Sequence, residues 1–271
     1  MTNPVQIMGI LNVTPDSFSD GGRFDDLDGA VKHALRLIDE GADIIDIGGE
    51  STRPGAEEIS VPEETQRVLP VIMALREAVR DLDREPQISI DTRKSEVAEA
   101  AILAGADTWN DVSGLTFDAR SEATASDLGC PVILMHAQGN PETMQDNPVY
   151  GDAVFEVKDW LSKRIDACEF AGIDRKNITI DPGIGFGKRH EDNLMLFNRL
   201  DELSALGCPI LMGSSRKSFI GRIDGSNADD RLGGSIASAL WSIAKGASIL
   251  RVHDVSETVQ AVRVWEAMRD G

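Results

Sequence analysis

Ile178–Lys188, ITIDPGIGFGK, is the stretch from which the rest of this chain can be read. Ile178, Thr179 and Ile180 form a short β-branched run, as strands favour, and it ends on Asp181. Pro182 then stops the ladder, because it has no N–H to give. Gly183, Gly185 and Gly187 allow a tight turn and a close backbone approach to a ligand. A strand built this way delivers a carboxylate to the mouth of a pocket. The layout recurs: apolar runs end on Asn12, Asp46, Asp91, Asn110 with Asp111, His136, Lys217 and Arg251. A chain that repeatedly ends apolar strands on polar residues assembles one site from many strand tips.

Between these runs a glycine-centred unit repeats. Gly41, Gly105 and Gly246 each follow a helical pattern and precede an apolar run, and Gly129, Gly172 and Gly207 hold similar places. Glycine in that position ends a helix in the left-handed conformation. The units number about eight, the count that closes a parallel α/β barrel. Strands are predicted at Gln6–Leu11, Ile44–Gly48, Gln87–Asp91, Thr108–Asp111, Val132–His136, Ile178–Asp181, Ile210–Gly213 and Ser248–Val252. Helical spacing of apolar residues covers Leu27–Asp39 (Leu27, Val31, Leu35, Ile38), Glu63–Leu82 (Val68, Ile72, Leu75, Val79) and Glu257–Met268 (Val259, Val262, Trp265). The long loops fall at Asn12–Asp26 and Gly49–Val61. No linker or low-complexity tract divides the chain, so residues 1–271 are expected to form a single (β/α)8 TIM barrel domain. An open doubly wound sheet is the alternative, but no GxGxxG opens the first unit.

With 271 residues and 41% hydrophobic content, the chain can bury a large core. No apolar run has the length of a membrane span, and MTNPVQIMGI reads as a first strand rather than a signal peptide. Cys130, Cys168 and Cys208 lack the spacing of a disulfide framework or a zinc site and are expected to be small buried hydrophobes. A cytoplasmic location follows as the expectation. The formal charge of −19 argues against nucleic acid and anionic membranes as partners. Yet Arg53, Arg93, Lys94, Lys188, Arg216, Lys217 and Arg251 lie at or just beyond strand ends, which suggests a basic mouth for a small anionic substrate.

In a parallel barrel the strand C-termini share one face, so Asn12, Asp91, Asn110, Asp181, Lys217 and Arg251 should converge. Carboxylates, an amide and an ammonium suit a flat heterocycle with alternating donors and acceptors, such as an amino-pyrimidinone edge. For Asp46 a structural bond and a ligand contact remain equally open. Ser51–Gly55 (STRPG), Ser214–Ser218 (SSRKS) and Arg251–His253 outline an anionic subsite, the second of them at a strand-to-helix junction. Asn12 with two phosphates could hold magnesium through oxygen ligands. His253 could equally be a structural histidine, His33 and His190 read as surface residues, and His136 as part of a strand-end network. No nucleophilic triad and no two-metal ligand set is visible. What remains is a transferase in which the substrate's own leaving group departs, with a carboxylate steadying the cation left behind.

These residues resemble the dihydropteroate synthase family over nearly the whole chain. The segments are Met8–Gly22 (MGILNVTPDSFSDGG), Asp46–Ala56 (DIGGESTRPGA), Ser89–Lys94 (SIDTRK), Asn110–Gly114 (NDVSG), Leu134–Pro141 (LMHAQGNP), Asp181–Lys188 (DPGIGFGK), Gly213–Gly221 (GSSRKSFIG) and Arg251–Val255 (RVHDV). The resemblance implies an α/β barrel that joins 7,8-dihydropterin-6-ylmethyl diphosphate to 4-aminobenzoate, diphosphate leaving first and the amine attacking a pterin cation. It implies a pterin site of Asp91, Asn110, Met135, Asp181, Phe186 and Lys217, and diphosphate binding by Asn12, Arg251 and His253. Magnesium (Mg2+) would sit on Asn12. For 4-aminobenzoate it implies Phe18, Thr52, Arg53, Pro54, Arg216 and Ser218, a subsite that sulfonamides would share. Asp91, Lys217 and Arg251 take the catalytic roles, and a homodimer through barrel helices is expected. Ser214, Ala137 and Arg93 stand where the family varies. Of these, Arg93 beside Asp91 could alter the charge balance.

Two other classes share part of this pattern. A methyltetrahydrofolate methyltransferase barrel needs the pterin-holding acids and amide but not the STRPG loop, the SRKS junction or the RVH tip, all three of which are present. A non-catalytic barrel scaffold would show gaps at the strand tips, and there are none.

Overall fold

The computed structural model describes residues 4–14, 23–52, 55–82, 85–139, 144 and 148–271, with 23–26 as backbone only. Its strands are β1 (Gln6–Asn12), β2 (Ile44–Gly48), β3 (Gln87–Asp91), β4 (Thr108–Asp111), β5 (Val132–Met135), β6 (Ile178–Asp181), β7 (Leu211–Met212) and β8 (Ile249–Val252). All pair in parallel, in the order β6–β5–β4–β3–β2–β1–β8–β7. The two ends of that sheet meet at a parallel bridge between Ile180 and Ile210, where the Ile180 N–H donates to Pro209 O at 2.9 Å. The result is the nearly closed (β/α)8 barrel that the repeat predicted.

Helices α1 (Arg23–Asp39), α2 (Val61–Val79), α3 (Ser95–Leu103), α4 (Ser121–Leu128), α5 (Ala153–Phe170), α6 (His190–Asn198), α7 (Ser218–Asp224), α8 (Leu232–Ala244) and α9 (Val255–Asp270) alternate with the strands. The interval between β7 and β8 holds two of them, α7 and α8. Predicted and observed bounds differ by a few residues. Helix α2 starts earlier because Ser60 caps it, accepting from the Glu63 N–H at 3.4 Å, and Pro62 fits its first turn. On α1 the fully buried stripe is Ala30, Ala34 and Leu37, while Leu27, Leu35 and Ile38 flank it. Small alanines let that helix approach the strands closely. All six glycines of the repeat have positive φ, from 62° at Gly129 to 115° at Gly105. The three cysteines are buried. Among the described residues no helix is long and apolar enough to cross a membrane.

Two apolar layers fix which side chains reach the site. Strand side chains alternate, so Ile45 and Ile47 face the helices and pack in one cluster with Val68 and Ile72 of α2. Ile44 faces inward and joins Met8, Ile133, Leu211 and Ile249 in an apolar plug. Asp46 lies two residues beyond Ile44 on the same inward side, which explains an acid inside an apolar run. The plug closes the lower barrel, and polar side chains occupy the end above it.

Candidate active site at the strand tips

The pairing register sets the first row of the site. Asn12 pairs with Gly48, Gly48 with Asp91, and Asp91 with Asn110, so β1 to β4 place their last inward residues side by side. Gly48 keeps that row open: a Cβ there would lie 3.5 Å from Asp91 Cβ and 3.8 Å from Asn12 Oδ1. Across the barrel Met135 pairs with Asp181. Asp111 does not join its neighbour Asn110. It accepts N–H bonds from Ser113 (2.6 Å) and Leu115 (3.0 Å) and closes a turn in which Leu115 has φ 61°.

Arg251 links the row from below. Its Nε donates to Asp46 Oδ2 at 2.6 Å and its Nη2 to Asp91 Oδ2 at 2.7 Å. Asn110 Nδ2 donates to the same Asp46 carboxylate, 3.1 Å from Oδ2 and 3.3 Å from Oδ1. Asp46 is fully buried and makes structural bonds to Arg251 and Asn110, one of the two readings its sequence left open. Because Asp46 takes the Asn110 amide nitrogen, Asn110 has its Oδ1 left for the cavity. Asp91 Oδ1 and Ser89 Oγ are buried, with no hydrogen-bond partner among the described residues. Burial pushes the Asp91 carboxyl up to about 7; Arg251 opposes the rise, and Asp46, Glu64 and Asp111 add to it. Burial opposes protonation of Arg251 too, yet Asp46 and Asp91 hold the guanidinium firmly charged.

The second half of the site is built on β6 and β7. Asp181 Oδ1 accepts the Gly183 N–H at 2.7 Å. Burial raises the Asp181 carboxyl, against that bond and the Lys217 charge. Lys217 Nζ lies 4.1 Å over the Phe186 ring, a cation–π contact. Burial, then the Arg251 charge, draws the Lys217 ammonium down to about 8. Asp91, Asn110, Met135, Asp181, Phe186 and Lys217 are thus all carried on one end of the barrel.

The SSRKS turn is held by its own network. Arg216 has φ 57°, a left-handed conformation that costs a non-glycine residue about 1 kcal/mol or more. Its N–H donates to Ser235 Oγ (2.9 Å), and its guanidinium forks onto Asp254 at 2.5 and 3.1 Å. Ser215 Oγ accepts the His253 backbone N–H at 3.2 Å and lies 3.1 Å from His253 Nδ1. Burial and the Arg251 and Arg216 charges lower the His253 imidazole to about 4, so it is neutral at pH 7. Ser218 is exposed at the start of α7, and Thr52 is half-buried. Phe18, Arg53 and Pro54 lie outside the described residues.

The expected basic mouth is mostly neutralised. Arg93 binds Glu50 (2.8 Å) and Glu58 (3.3 Å) and stacks on Phe117 at 4.2 Å. It therefore turns toward loop two and leaves Asp91 to Arg251. Lys94 binds Glu50 and Glu64, at 2.5 and 2.6 Å. Lys188 is buried, with Gly183 O (2.9 Å), Phe186 O (3.0 Å), His136 O (3.1 Å) and His136 Nδ1 (2.9 Å) around its ammonium. Burial takes Lys188 to about 7 and, with the Lys188 charge, takes His136 to about 2. The glycines of DPGIGFGK also serve a purpose beyond ligand approach. A Cβ on Gly183 would sit 1.9 Å from His136 O, and one on Gly187 2.2 Å from Gln138 O. Those two glycines let the β6 loop lie on the β5 loop. Sequence reading gave Ser215 only its place in SSRKS and gave Glu50 and Glu64 no part in the site. The only signal for Glu50 was its place inside GGESTRPG.

The sequence profile described as "Pterin binding enzyme" matches residues 8–253. The dihydropteroate synthase of Escherichia coli (strain K12) is 50% identical over 261 residues, 96% of this chain and 90% of that protein. Among solved structures, Xanthomonas albilineans dihydropteroate synthase with 4-aminobenzoic acid superposes with a TM-score of 0.92 at 47% identity, over 99% of this chain and 94% of that one. The Yersinia pestis dihydropteroate synthase in a sulfonamide drug complex gives 0.91 at 44% identity, over 99% and 95%. Barrel, strand-tip groups and near-complete coverage by these relatives agree, and the chain belongs to the dihydropteroate synthase family of pterin-binding enzymes.

Proposed function

We propose that residues 1–271 form one domain whose strand-tip site condenses 7,8-dihydropterin-6-ylmethyl diphosphate with 4-aminobenzoate, giving 7,8-dihydropteroate and diphosphate. The observation that supports this site for the reaction is the meeting of Asp91, Asn110, Asp181 and Lys217 above the apolar plug. Asp181 accepts two N–H bonds from the amino-pyrimidinone edge, and Asn110 Oδ1 accepts a further ring donor. Lys217 donates to the opposite edge, with Met135 and Phe186 against the ring faces. Arg251 spends two of its five N–H groups on Asp46 and Asp91 and keeps three for the diphosphate. His253 joins it through Nε2–H when the Ser215 hydroxyl donates to Nδ1.

The bond from the pterin methylene carbon to the diphosphate oxygen breaks, and its electron pair leaves with the diphosphate. The cation spreads into the ring, where the Asp91 carboxylate stabilises it in a site shielded from water. The aminobenzoate nitrogen then attacks the methylene carbon and releases a proton. The family resemblance assigns Thr52, Arg53, Pro54, Phe18, Ser218 and Arg216 to the subsite that receives that amine. Among the described residues no three His, Cys, Asp or Glu side chains gather as a metal cage. The exposed Asn12 Oδ1 is a suitable single protein oxygen for magnesium, which keeps waters and takes substrate phosphates. When bound, the ion neutralises charge on the departing diphosphate. A cytoplasmic location and a homodimer belong to the same proposal. An apolar depression of about 260 Å³ between α6, α7 and α8, lined by Leu194, Phe197, Phe219 and Trp241, supports that barrel flank as the contact.

The test is Asp181→Asn in calorimetry with a pterin ligand. An amide must turn a donor toward a donor, and an unpaired buried polar group costs about 1–3 kcal/mol, so pterin affinity should fall at least about tenfold. Near-normal affinity would remove Asp181 from the pterin site.

A further inference from the structure

Loop two, residues 49–60, stands on two feet, and both feet are tied to the same pair of cations. At the first foot Glu50 is buried, its side chain 5% exposed, with Oε1 on Arg93 Nε and Oε2 on Lys94 Nζ. The same Oε2 accepts the Ile59 N–H at 3.0 Å, so Glu50 joins the start of the loop to its end. At the second foot Glu58 reaches Arg93, and Glu64 on the first turn of α2 reaches Lys94 from full burial. Arg67 Nη1 adds a bond to Gly49 O at 2.8 Å. A Cβ at Gly49 would lie 2.8 Å from Val68 Cγ1, so the backbone is pressed onto α2 at this foot. Arg93 and Lys94 follow Asp91 by two and three residues. The mechanism above uses none of these five side chains. Burial works the other way, yet bonds from Arg93 and Lys94 keep the Glu50 carboxyl below its usual range, so it is a charged member of the cluster.

We propose that Glu50, Arg93, Lys94, Glu64 and Glu58 form a clasp that positions loop two over the 4-aminobenzoate subsite, with Glu50 as its centre. The inference rests on the reading of that subsite given above. Four buried charges and a fifth at the solvent edge are more than a short loop needs in order to be anchored. Their shared partner is the segment that leaves Asp91, so the loop's feet and the pterin row are set by one piece of backbone. The clasp touches neither substrate; Glu50 is a positioning residue. Its loss should therefore act on the second substrate and spare the first.

The experiment is steady-state kinetics on Glu50→Gln together with pterin diphosphate binding by calorimetry. Removing one partner of a buried ion pair leaves the other uncompensated, an effect large enough for a change of about tenfold or more. KM for 4-aminobenzoate and the inhibition constant of a sulfonamide should both rise by that factor, kcat should fall much less, and the dissociation constant for pterin diphosphate should stay within about twofold. Glu58→Gln, at the solvent edge of the clasp, covers the case in which Glu50→Gln does not fold. It should raise the 4-aminobenzoate KM about two- to threefold and speed hydrogen exchange of the amides at 50–60. Unchanged KM values with unchanged exchange would overturn the clasp, as would an equal loss of pterin affinity. If the unmodified protein releases no diphosphate with both substrates present, the reading of the reaction fails, and the exchange measurement still judges the clasp.

Discussion

Asp46→Asn is the substitution that most directly probes how the site is organised. The carboxylate receives two hydrogen bonds, one from the Arg251 guanidinium at 2.6 Å and one from the Asn110 amide at 3.1 Å. Both donors reach Oδ2, so an asparagine that puts its single oxygen there keeps the Arg251 bond and sets its amide in the place of Oδ1, 3.3 Å from the Asn110 amide. The Arg251 bond is thus kept without its charge, and the Asn110 bond is opposed by a second donor. A hydrogen bond involving a charged group contributes about 1.5–3 kcal/mol, so folding stability should fall by about that amount. Catalysis should fall as well, because Asn110 is turned out of place. At about 1.4 kcal/mol per tenfold, kcat/KM should drop about 10- to 150-fold. The substitution also removes a negative charge that helps to raise Asp91, so the acid limb of the pH–rate profile should move to lower pH. The assays are thermal melting and diphosphate release across pH. Unchanged stability with unchanged kcat/KM, or an acid limb that moves upward, would refute the account of Asp46 as organiser of the row.

Three further outcomes follow from the same geometry. The plot of kcat/KM against pH should be a narrow bell: activity is lost below about 7 as Asp91 gains a proton and above about 8 as Lys217 loses one, and a flat profile from pH 6 to 9 would contradict both assignments. Lys217→Met should cut kcat/KM by about 100-fold or more while leaving the melting temperature level or higher, since a desolvated charge is removed and an apolar stem remains; unfolding on expression would make Lys217 structural. Lys188→Met should do the reverse, lowering stability by several kcal/mol because three carbonyls and a ring nitrogen lose their donor at about 1–3 kcal/mol per group. A melting temperature equal to that of the unmodified protein would show that the β6 loop does not depend on this lysine.

The barrel was legible because each unit carries two local signals with a physical cause. A glycine ends each helix where the chain must take a positive φ, and a β-branched run then ends on a polar residue. Seven predicted strands, including Ile178–Asp181, needed at most a change of one end. Strand β7 shrank to Leu211–Met212 because Pro209 supplies only a carbonyl to β6 and Gly213 already turns toward the SSRKS junction. The polar tips were legible for the same reason. Their partnerships were not. Nothing in a single chain says that Asp46 binds a residue 205 positions away, or that Arg93 turns from Asp91 to Glu50. Pairing is fixed by the inward or outward phase of each strand and by barrel closure, and both are tertiary properties.

Those partnerships change how an acidic protein holds an anionic substrate. A cluster of free cations would repel itself and would bind any polyanion. Here two arginines at the strand tips are already balanced: Arg251 by Asp46 and Asp91, Arg216 by Asp254. Arg93 and Lys94 face glutamates, and Lys188 faces carbonyls. A diphosphate taken up at these tips would meet N–H groups left over on charged but paired side chains, whose positions their acids fix in advance. Such a site loses little freedom on binding, which favours selectivity by geometry over attraction by bulk charge. Removing Asp254 should then disturb the 4-aminobenzoate wall through Arg216 and raise the KM for that substrate, even though an acid is being taken from the neighbourhood of an anion.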